Sequence, residues 1–145
     1  MQNCPLCSSS GGDVVWEDSR CRVVRVGQAE GEAFPGYCRV VWQAHVAEMT
    51  DLDPNGRRHF MNVVFAVEAA LRSLVAPDKI NLAELGNQVP HLHWHVIPRW
   101  RDDSHFPAAI WASPKKSAVA TRHAPTNVAL SAAIAATLSE AEGGA

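Results

Sequence analysis

The stretch PHLHWHVIP, residues 90–98, constrains the fold more than any other part of this sequence. Histidines stand at positions 91, 93 and 95, and apolar residues stand between and after them. Residues at every second position of a β-strand point to the same side, so an extended backbone places the three imidazoles on one face, roughly 7 Å apart. A helix would turn His93 away from the other two, and the flanking prolines leave too little room for one. We therefore expect a strand over residues 91–98.

The remaining pattern indicates an α+β fold. Runs rich in β-branched residues predict strands at 14–17, 21–26, 37–43 and 79–85, with a turn at 18–20 and a glycine-rich loop at 27–36. Asp53 followed by Pro54 is typical of a helix start, and apolar residues at helical spacing continue to just before Pro77. An alanine-rich segment at 127–141 predicts a terminal helix. We expect an antiparallel meander with the long helix packed on one face.

Length and composition exclude several classes of protein. With 145 residues, the chain is long enough for one domain with its own core. A formal charge of −2 provides no basic surface for long nucleic acids. No apolar run approaches the length of a membrane span and no leader pattern is evident, so we expect a cytoplasmic protein that does not bind a membrane. In a reducing compartment, Cys4 and Cys7 are better interpreted as a metal clip than as a disulfide.

Three interpretations compete for the histidine face. The rings can be purely structural, but three imidazoles together need hydrogen-bond partners and repel one another when charged. They can hold a catalytic zinc ion, although three ligands in one straight row converge poorly on a tetrahedral metal. One ring can instead be a nucleophile that the other two support, since neutral imidazole attacks phosphorus well near neutral pH. The third interpretation accounts for the spacing best.

The segment HLHWHVI at 91–97 resembles the motif of the histidine triad (HIT) superfamily. The segments around it resemble the layout of the same family: INLAELGNQVP before the motif, IPRW after it and VVWQAHVAEMTDLD further upstream. This resemblance covers roughly residues 1–110. It implies a HIT-like domain at 1–115 with about five antiparallel strands, one long helix and a short additional helix, followed by a partly helical extension at 116–145.

The same resemblance implies a nucleotide hydrolase that works through a covalent nucleotidyl-histidine. His93 matches the nucleophile, and His91 and His95 match the residues that hold the ring and contact the phosphate. Histidine rather than glutamine at position 95 favours hydrolysis of a dinucleoside polyphosphate, such as diadenosine tetraphosphate, or of a nucleoside phosphoramidate over transfer to a sugar phosphate. Two alternatives remain open: a nucleotide-binding regulatory module with little turnover, and a metal-dependent hydrolase that uses the histidines as ligands.

Substrate-binding residues follow from matching positions around the triad. Asn81, Asn87 and Gln88 match polar positions of the family, although Asn87 and Gln88 stand where glutamine and a hydroxyl residue are usual. Arg99, at the end of the histidine strand, is a candidate phosphate partner, and we expect Asp103 to be a solvated charge.

The resemblance also implies a closed structural zinc site and a homodimer. Zinc-containing members of the superfamily hold the metal at positions that match Cys4, Cys7, His45 and His91. The metal is not required for the covalent chemistry at His93. The apolar segment YCRVVW at 37–42 is a candidate strand for pairing with a second copy of the chain.

Overall fold

A computed structural model describes residues 3–116 and 122–143 of the chain. Five strands are present: β1 (Asp13–Glu17), β2 (Cys21–Arg25), β3 (Cys38–Trp42), β4 (Lys79–Ala83) and β5 (His93–Arg99). The helices are α1 (Pro5–Ser8), α2 (Gln28–Ala33), α3 (Pro54–Val75) and α4 (Asn127–Gly143), with a 3-10 turn at Met49–Asp51. No helix within the described ranges has the length and apolarity that crossing a membrane requires.

The strands form a single antiparallel sheet in the order β1-β2-β3-β5-β4. The predicted α+β class, the five antiparallel strands and the one long helix are therefore confirmed. Strand β3 lies inside the sheet between β2 and β5, so the expectation that its segment offers a free edge to a second copy is wrong. The order of strands depends on which loops cross the sheet, which local composition does not encode.

Helices α3 and α4 cover one face of the sheet and build the main core. Helix α3 begins where predicted, since the Asp53 side chain accepts a hydrogen bond of 2.7 Å from the backbone N–H of Gly56. It ends at Ala76, which takes a left-handed conformation with φ of 44° just before Pro77. In α4, Leu130 is fully buried in the same core. The proposed division between residues 115 and 116 stays a prediction.

Within the described residues, two small apolar clusters cover the two ends of the opposite face of the sheet. At one end, Cys4 and Leu6 around α1 pack on Val24 and Val41 of the sheet. At the other end, a second small apolar cluster closes the face, formed by Val26, Phe34, Tyr37, Ile97 and Ile110. His93 and His95 lie between these two clusters and line an open cavity. The fold thus leaves a gap in its own packing beside the histidines.

Two local predictions need correction. The segment predicted as a loop at 27–36 contains α2, because Gln, Ala and Glu in QAEGEA are good helix formers. Its Gly31 is required, since a Cβ there would lie 2.1 Å from the carbonyl oxygen of Val26. Strand β5 begins at His93 rather than at His91, and the residues before it belong to a bend.

Candidate functional site

His93 has the hydrogen-bonding arrangement of an oriented imidazole. Its Nδ1 lies 2.6 Å from the carbonyl oxygen of His91, so we assign the ring proton to Nδ1, which donates to that carbonyl. The side chain is largely buried yet lines the cavity. Nε2 has no hydrogen-bond partner among the described residues and keeps its lone pair. The ring is therefore held in one tautomer with an available nucleophilic nitrogen.

His95 lies beside His93 and has a different environment. The two ring centroids are 5.0 Å apart, and His95 Nδ1 lies 2.7 Å from the hydroxyl of Tyr37. Burial raises the pKa of Tyr37 to about 12, so the hydroxyl stays protonated and can donate to Nδ1. Burial, together with the charges of His93 and Arg39, lowers the pKa of His95 to about 3. We assign His95 as a neutral imidazole that carries its proton on Nε2 and can donate it within the cavity.

His91 turns away from the other two histidines. Its ring is fully buried, Nε2 lies 2.6 Å from the carbonyl oxygen of Trp42, and Nδ1 faces Cys4, Cys7 and His45. Burial, partly opposed by the hydrogen bond to Trp42, lowers the pKa of His91. The main-chain carbonyl of His91, rather than its ring, makes the hydrogen bond to His93. The three imidazoles therefore do not converge on a single point.

The cavity has a volume of about 650 Å³ and brings together several of the predicted site residues. Asn87 and Gln88 line it from the loop that connects β4 to β5. Gly86 lets this loop turn, because its φ of 70° is a conformation that other residues rarely adopt. The exposed amides of both side chains can donate hydrogen bonds to oxygens placed next to His93.

Arg99 and Asn81 are not among the residues that line this cavity. The Arg99 side chain is 2% exposed and donates to both carboxylate oxygens of Asp103, at 2.8 and 3.1 Å. It also donates to the side-chain oxygen of Asn81 at 2.8 Å and to the carbonyl oxygen of Ala108 at 2.8 Å. These bonds use four of the five guanidinium N–H groups and the side chain is buried, so Arg99 is not placed to bind a phosphate in the cavity.

Asp103 differs from the solvated charge that we expected. It is 1% exposed and accepts backbone N–H bonds from Trp100, His105 and Phe106 as well as the pair from Arg99. Burial alone would raise its pKa, but these hydrogen bonds hold the pKa below its ordinary value. Arg99 and Asp103 thus form a buried ion pair that fixes the loop after β5.

Three cavity or neighbouring residues were not predicted from the sequence. Tyr37 contacts Nδ1 of His95, and Glu30 and Arg39 line the cavity. Trp111, for which the sequence favours a packing role over a contact with a base, also lines the cavity. Arg39 is the register partner of His95 on β3, so the signal was present in the alternation of Cys38, Arg39 and Val40. Predicting that Arg39 lies next to His95 required knowing that β3 pairs with β5, and the sequence pattern does not show this pairing.

Cys4, Cys7, His45 and His91 form a compact cluster near the start of the chain. Their ligand atoms all lie within 4.8 Å of one another. Nδ1 of His91 is 3.4 Å from Sγ of Cys4 and 3.5 Å from Sγ of Cys7, and Nδ1 of His45 is 3.3 Å from Sγ of Cys7 and 3.2 Å from Nδ1 of His91. A tetrahedral zinc ion spaces a sulfur and a nitrogen ligand about 3.5 Å apart and two nitrogens about 3.3 Å apart.

The donor chemistry of this cluster also suits zinc. Nε2 of His91 is fixed by the carbonyl of Trp42, which leaves Nδ1 as the nitrogen that can bind a metal. Burial raises the pKa of the Cys4 thiol, but hydrogen bonds from Cys7 and from the backbone N–H of Leu6, together with the N-terminal charge, lower the pKa overall. The four residues can hold a closed, four-ligand metal site.

Comparisons with known proteins agree with this architecture. The HIT domain family model matches residues 9–102, and the chain belongs to this family. No curated protein sequence matches the chain significantly.

Among solved structures, a histidine triad protein from Bradyrhizobium japonicum is similar, with 25% identity, a TM-score of 0.64 and coverage of 90% of each chain. A HIT protein from Sinorhizobium meliloti has 22% identity and a TM-score of 0.70, covering 94% of this chain and 98% of its own. A zinc-bound histidine triad family protein from Mycobacterium smegmatis has 18% identity and a TM-score of 0.58, covering 99% of both chains.

Proposed function

We propose that this chain is a nucleotide hydrolase that cleaves dinucleoside polyphosphates or nucleoside phosphoramidates through a covalent nucleotidyl-histidine. One observation carries the proposal: His93 has its Nδ1 proton bound to the carbonyl of His91 and its Nε2 lone pair free beside the cavity. A buried imidazole with a fixed tautomer and an unpaired nitrogen is arranged for nucleophilic attack rather than for packing.

In the first step, the Nε2 lone pair of His93 forms a bond to the α-phosphorus of the substrate. The bond from phosphorus to the leaving oxygen or nitrogen breaks, and the leaving group departs with that electron pair. The carbonyl of His91, at 2.6 Å from Nδ1, stabilises the positive charge that the ring gains. His91 thus acts on the chemistry as a positioning residue through its backbone.

His95 is the candidate hydrogen-bond donor to the leaving group, which takes its proton from solvent. Its Nε2–H donates within the cavity while Tyr37 supports Nδ1 at 2.7 Å. The amides of Asn87 and Gln88 are the candidate donors to the phosphoryl oxygens. The oxygen of a water molecule then bonds to phosphorus and its proton passes to solvent, while the phosphorus–nitrogen bond breaks and the lone pair returns to Nε2 of His93.

We also propose that Cys4, Cys7, His45 and His91 hold a structural zinc ion. The ligand spacings described above support this, and the similar protein from Mycobacterium smegmatis is zinc-bound. When bound, the ion would fasten the N-terminal segment to the β5 side of the sheet, next to the residue whose carbonyl orients His93. The metal-dependent hydrolase is less well supported, because the rings of His91 and His95 point to different neighbours.

A homodimer remains part of the proposal, with a revised basis. The outer strands of the sheet are β1 and β4, and α4 packs near β1. The outer strand β4 is therefore the better candidate for contact with a second copy. Light scattering of the purified chain tests this, and a monomer at micromolar concentration would contradict it. The cytoplasmic location stays a prediction.

Kinetics of a His93→Ala variant test the hydrolase. We expect adenosine 5′-phosphoramidate turnover to fall by about three orders of magnitude or more, because no neighbouring group replaces the attacking nitrogen. His123→Ala is a matched control, since His123 is exposed and lies on another part of the chain. A wild-type protein that binds AMP but turns over none of these substrates would support the regulatory module instead. Loss of all turnover on chelation, with the fold intact, would support the metal-dependent hydrolase.

A further inference from the structure

One end of the cavity has a composition that the proposed phosphate chemistry does not use. We call it the Trp111 end, formed by Glu30, Arg39 and Trp111. Trp111 is 46% exposed, and its ring centroid is 4.9 Å from that of His95. An exposed indole that lines a cavity offers a flat surface on which a planar ring can stack.

Arg39 has donors available to a ligand. It pairs with His95 in the register of β3 and β5, so the two side chains lie next to each other on the same face of the sheet. Its guanidinium makes one contact of 3.5 Å, from Nη2 to a carboxylate oxygen of Glu30. The side chain is 25% exposed, so the two Nη groups offer donors to a ligand, whereas the unpartnered Nε is buried. An ion pair with a single long contact and a half-exposed carboxylate is weak and readily rearranged.

The neighbouring Glu30 carboxylate determines what Arg39 can bind. A second phosphate at this end would approach both the Arg39 guanidinium and the Glu30 carboxylate. The repulsion from the carboxylate would offset the attraction to the guanidinium. A neutral ring that presents an acceptor beside two donors satisfies both side chains. Arginine donates to O6 and N7 of guanine, whereas a carboxylate accepts from ring N–H and amino groups. Adenine would direct the unprotonated N1 at the carboxylate.

We propose that the Trp111 end is a base subsite that selects guanine over adenine. The inference rests on the proposed function only in placing the α-phosphate at His93. Two residues along β5 span roughly 7 Å, which leaves room for the ribose between the phosphate and the base. The base stacks on Trp111, Arg39 donates to O6, and Glu30 accepts from N1–H and the 2-amino group.

Calorimetric titration of the wild-type protein with nucleoside monophosphates tests this subsite without any turnover. We expect GMP to bind about tenfold more tightly than AMP, the ratio that one good base-edge pairing supplies. IMP, which lacks the 2-amino group, should fall between them. Equal affinities, or tighter binding of AMP, would overturn the proposal. Because the titration measures binding and not turnover, this result stands whether or not the chain proves to be a hydrolase.

Two variants assign the roles of the side chains. Glu30→Gln should weaken GMP about tenfold and leave AMP nearly unchanged, and Arg39→Leu should reduce the GMP to AMP ratio to about one. Glu32→Gln is a matched control, because Glu32 is exposed on the same helix and does not line the cavity. An Arg39→Leu variant that weakens GMP and AMP equally would assign Arg39 to the phosphate and refute the base subsite. Since Glu30 is half-exposed, its variant should fold even where Arg39→Leu does not.

Discussion

Replacing Tyr37 by phenylalanine removes one hydroxyl and isolates the support that this residue gives to His95. Tyr37 is fully buried, and its ring packs with Val26, Phe34 and Ile97. The phenylalanine ring keeps these contacts. The change therefore deletes only the 2.7 Å hydrogen bond to Nδ1 of His95.

The magnitude follows from what the bond does. Leaving Nδ1 of the buried His95 without a partner should cost about 1 to 3 kcal/mol of stability, which a domain with about 5 to 15 kcal/mol can lose and remain folded. The hydrogen bond itself contributes about 1 to 1.5 kcal/mol to holding the ring in one tautomer. If that orientation serves the transition state, kcat should fall about five- to tenfold.

The assay compares kcat on adenosine 5′-phosphoramidate with the nitrogen-15 shifts of the His95 ring. A positioning role predicts that both change, since the tautomer is no longer fixed. Thr137→Val is a matched control, because it removes a partly buried hydroxyl from α4, away from the cavity. A Tyr37→Phe protein with unchanged kcat and unchanged nitrogen-15 shifts of His95 would show that Tyr37 does not position this ring, whatever the stability of the variant.

Three further predictions concern metal, pH and the buried ion pair. Cys4→Ser should lower the bound zinc, measured by elemental analysis, from about one ion per chain to none, and it should lower the melting temperature measured by calorimetry. Equal stability of the wild-type protein with and without metal would contradict the structural site. The pKa of His95 falls from 6.5 to about 3 on folding, so its contribution to stability is complete above pH 6.5 and is lost as the pH falls towards 3. Between pH 6.5 and 4.5, the free energy of unfolding measured with urea should fall by about 2 to 3 kcal/mol in the wild type, and His95→Gln should remove this fall. A His95→Gln variant whose free energy of unfolding depends on pH as steeply as that of the wild type would count against this. Asp103→Asn should lower the free energy of unfolding by about 3 to 5 kcal/mol, because it leaves the charge of Arg99 buried without a partner. The kcat per folded molecule should stay within about twofold, and a free energy of unfolding in urea that hardly changes would contradict the prediction.

Periodicity predicted much of the fold and the centre of the site. The alternation at 91–95 placed His93 and His95 on one face of a strand, and the structure brings both to the cavity. The Asp53 cap and the apolar spacing located α3 closely. These features depend on residues near each other in the chain, where spacing and geometry are directly linked.

What the sequence did not predict depends on contacts between distant residues. Arg99 and Arg39 are both arginines on strands, yet one is enclosed by Asp103 and the other lines the cavity. The difference comes from a loop that folds back after β5 and from the pairing of β3 with β5. The direction of the His91 ring, towards Cys4 rather than the cavity, likewise follows from where the N-terminal segment packs. Spacing alone carries none of this information.

The nucleophilic role of His93 is tested most directly by a single-turnover reaction with adenosine 5′-phosphoramidate, stopped rapidly without acid and analysed by peptide mass spectrometry. We expect a transient adenylyl adduct on the peptide that contains His93, located on that residue by fragmentation and absent from a His93→Asn variant. Turnover without any adduct, or with an adduct on His95 or a cysteine, would contradict the assignment of His93 as the nucleophile.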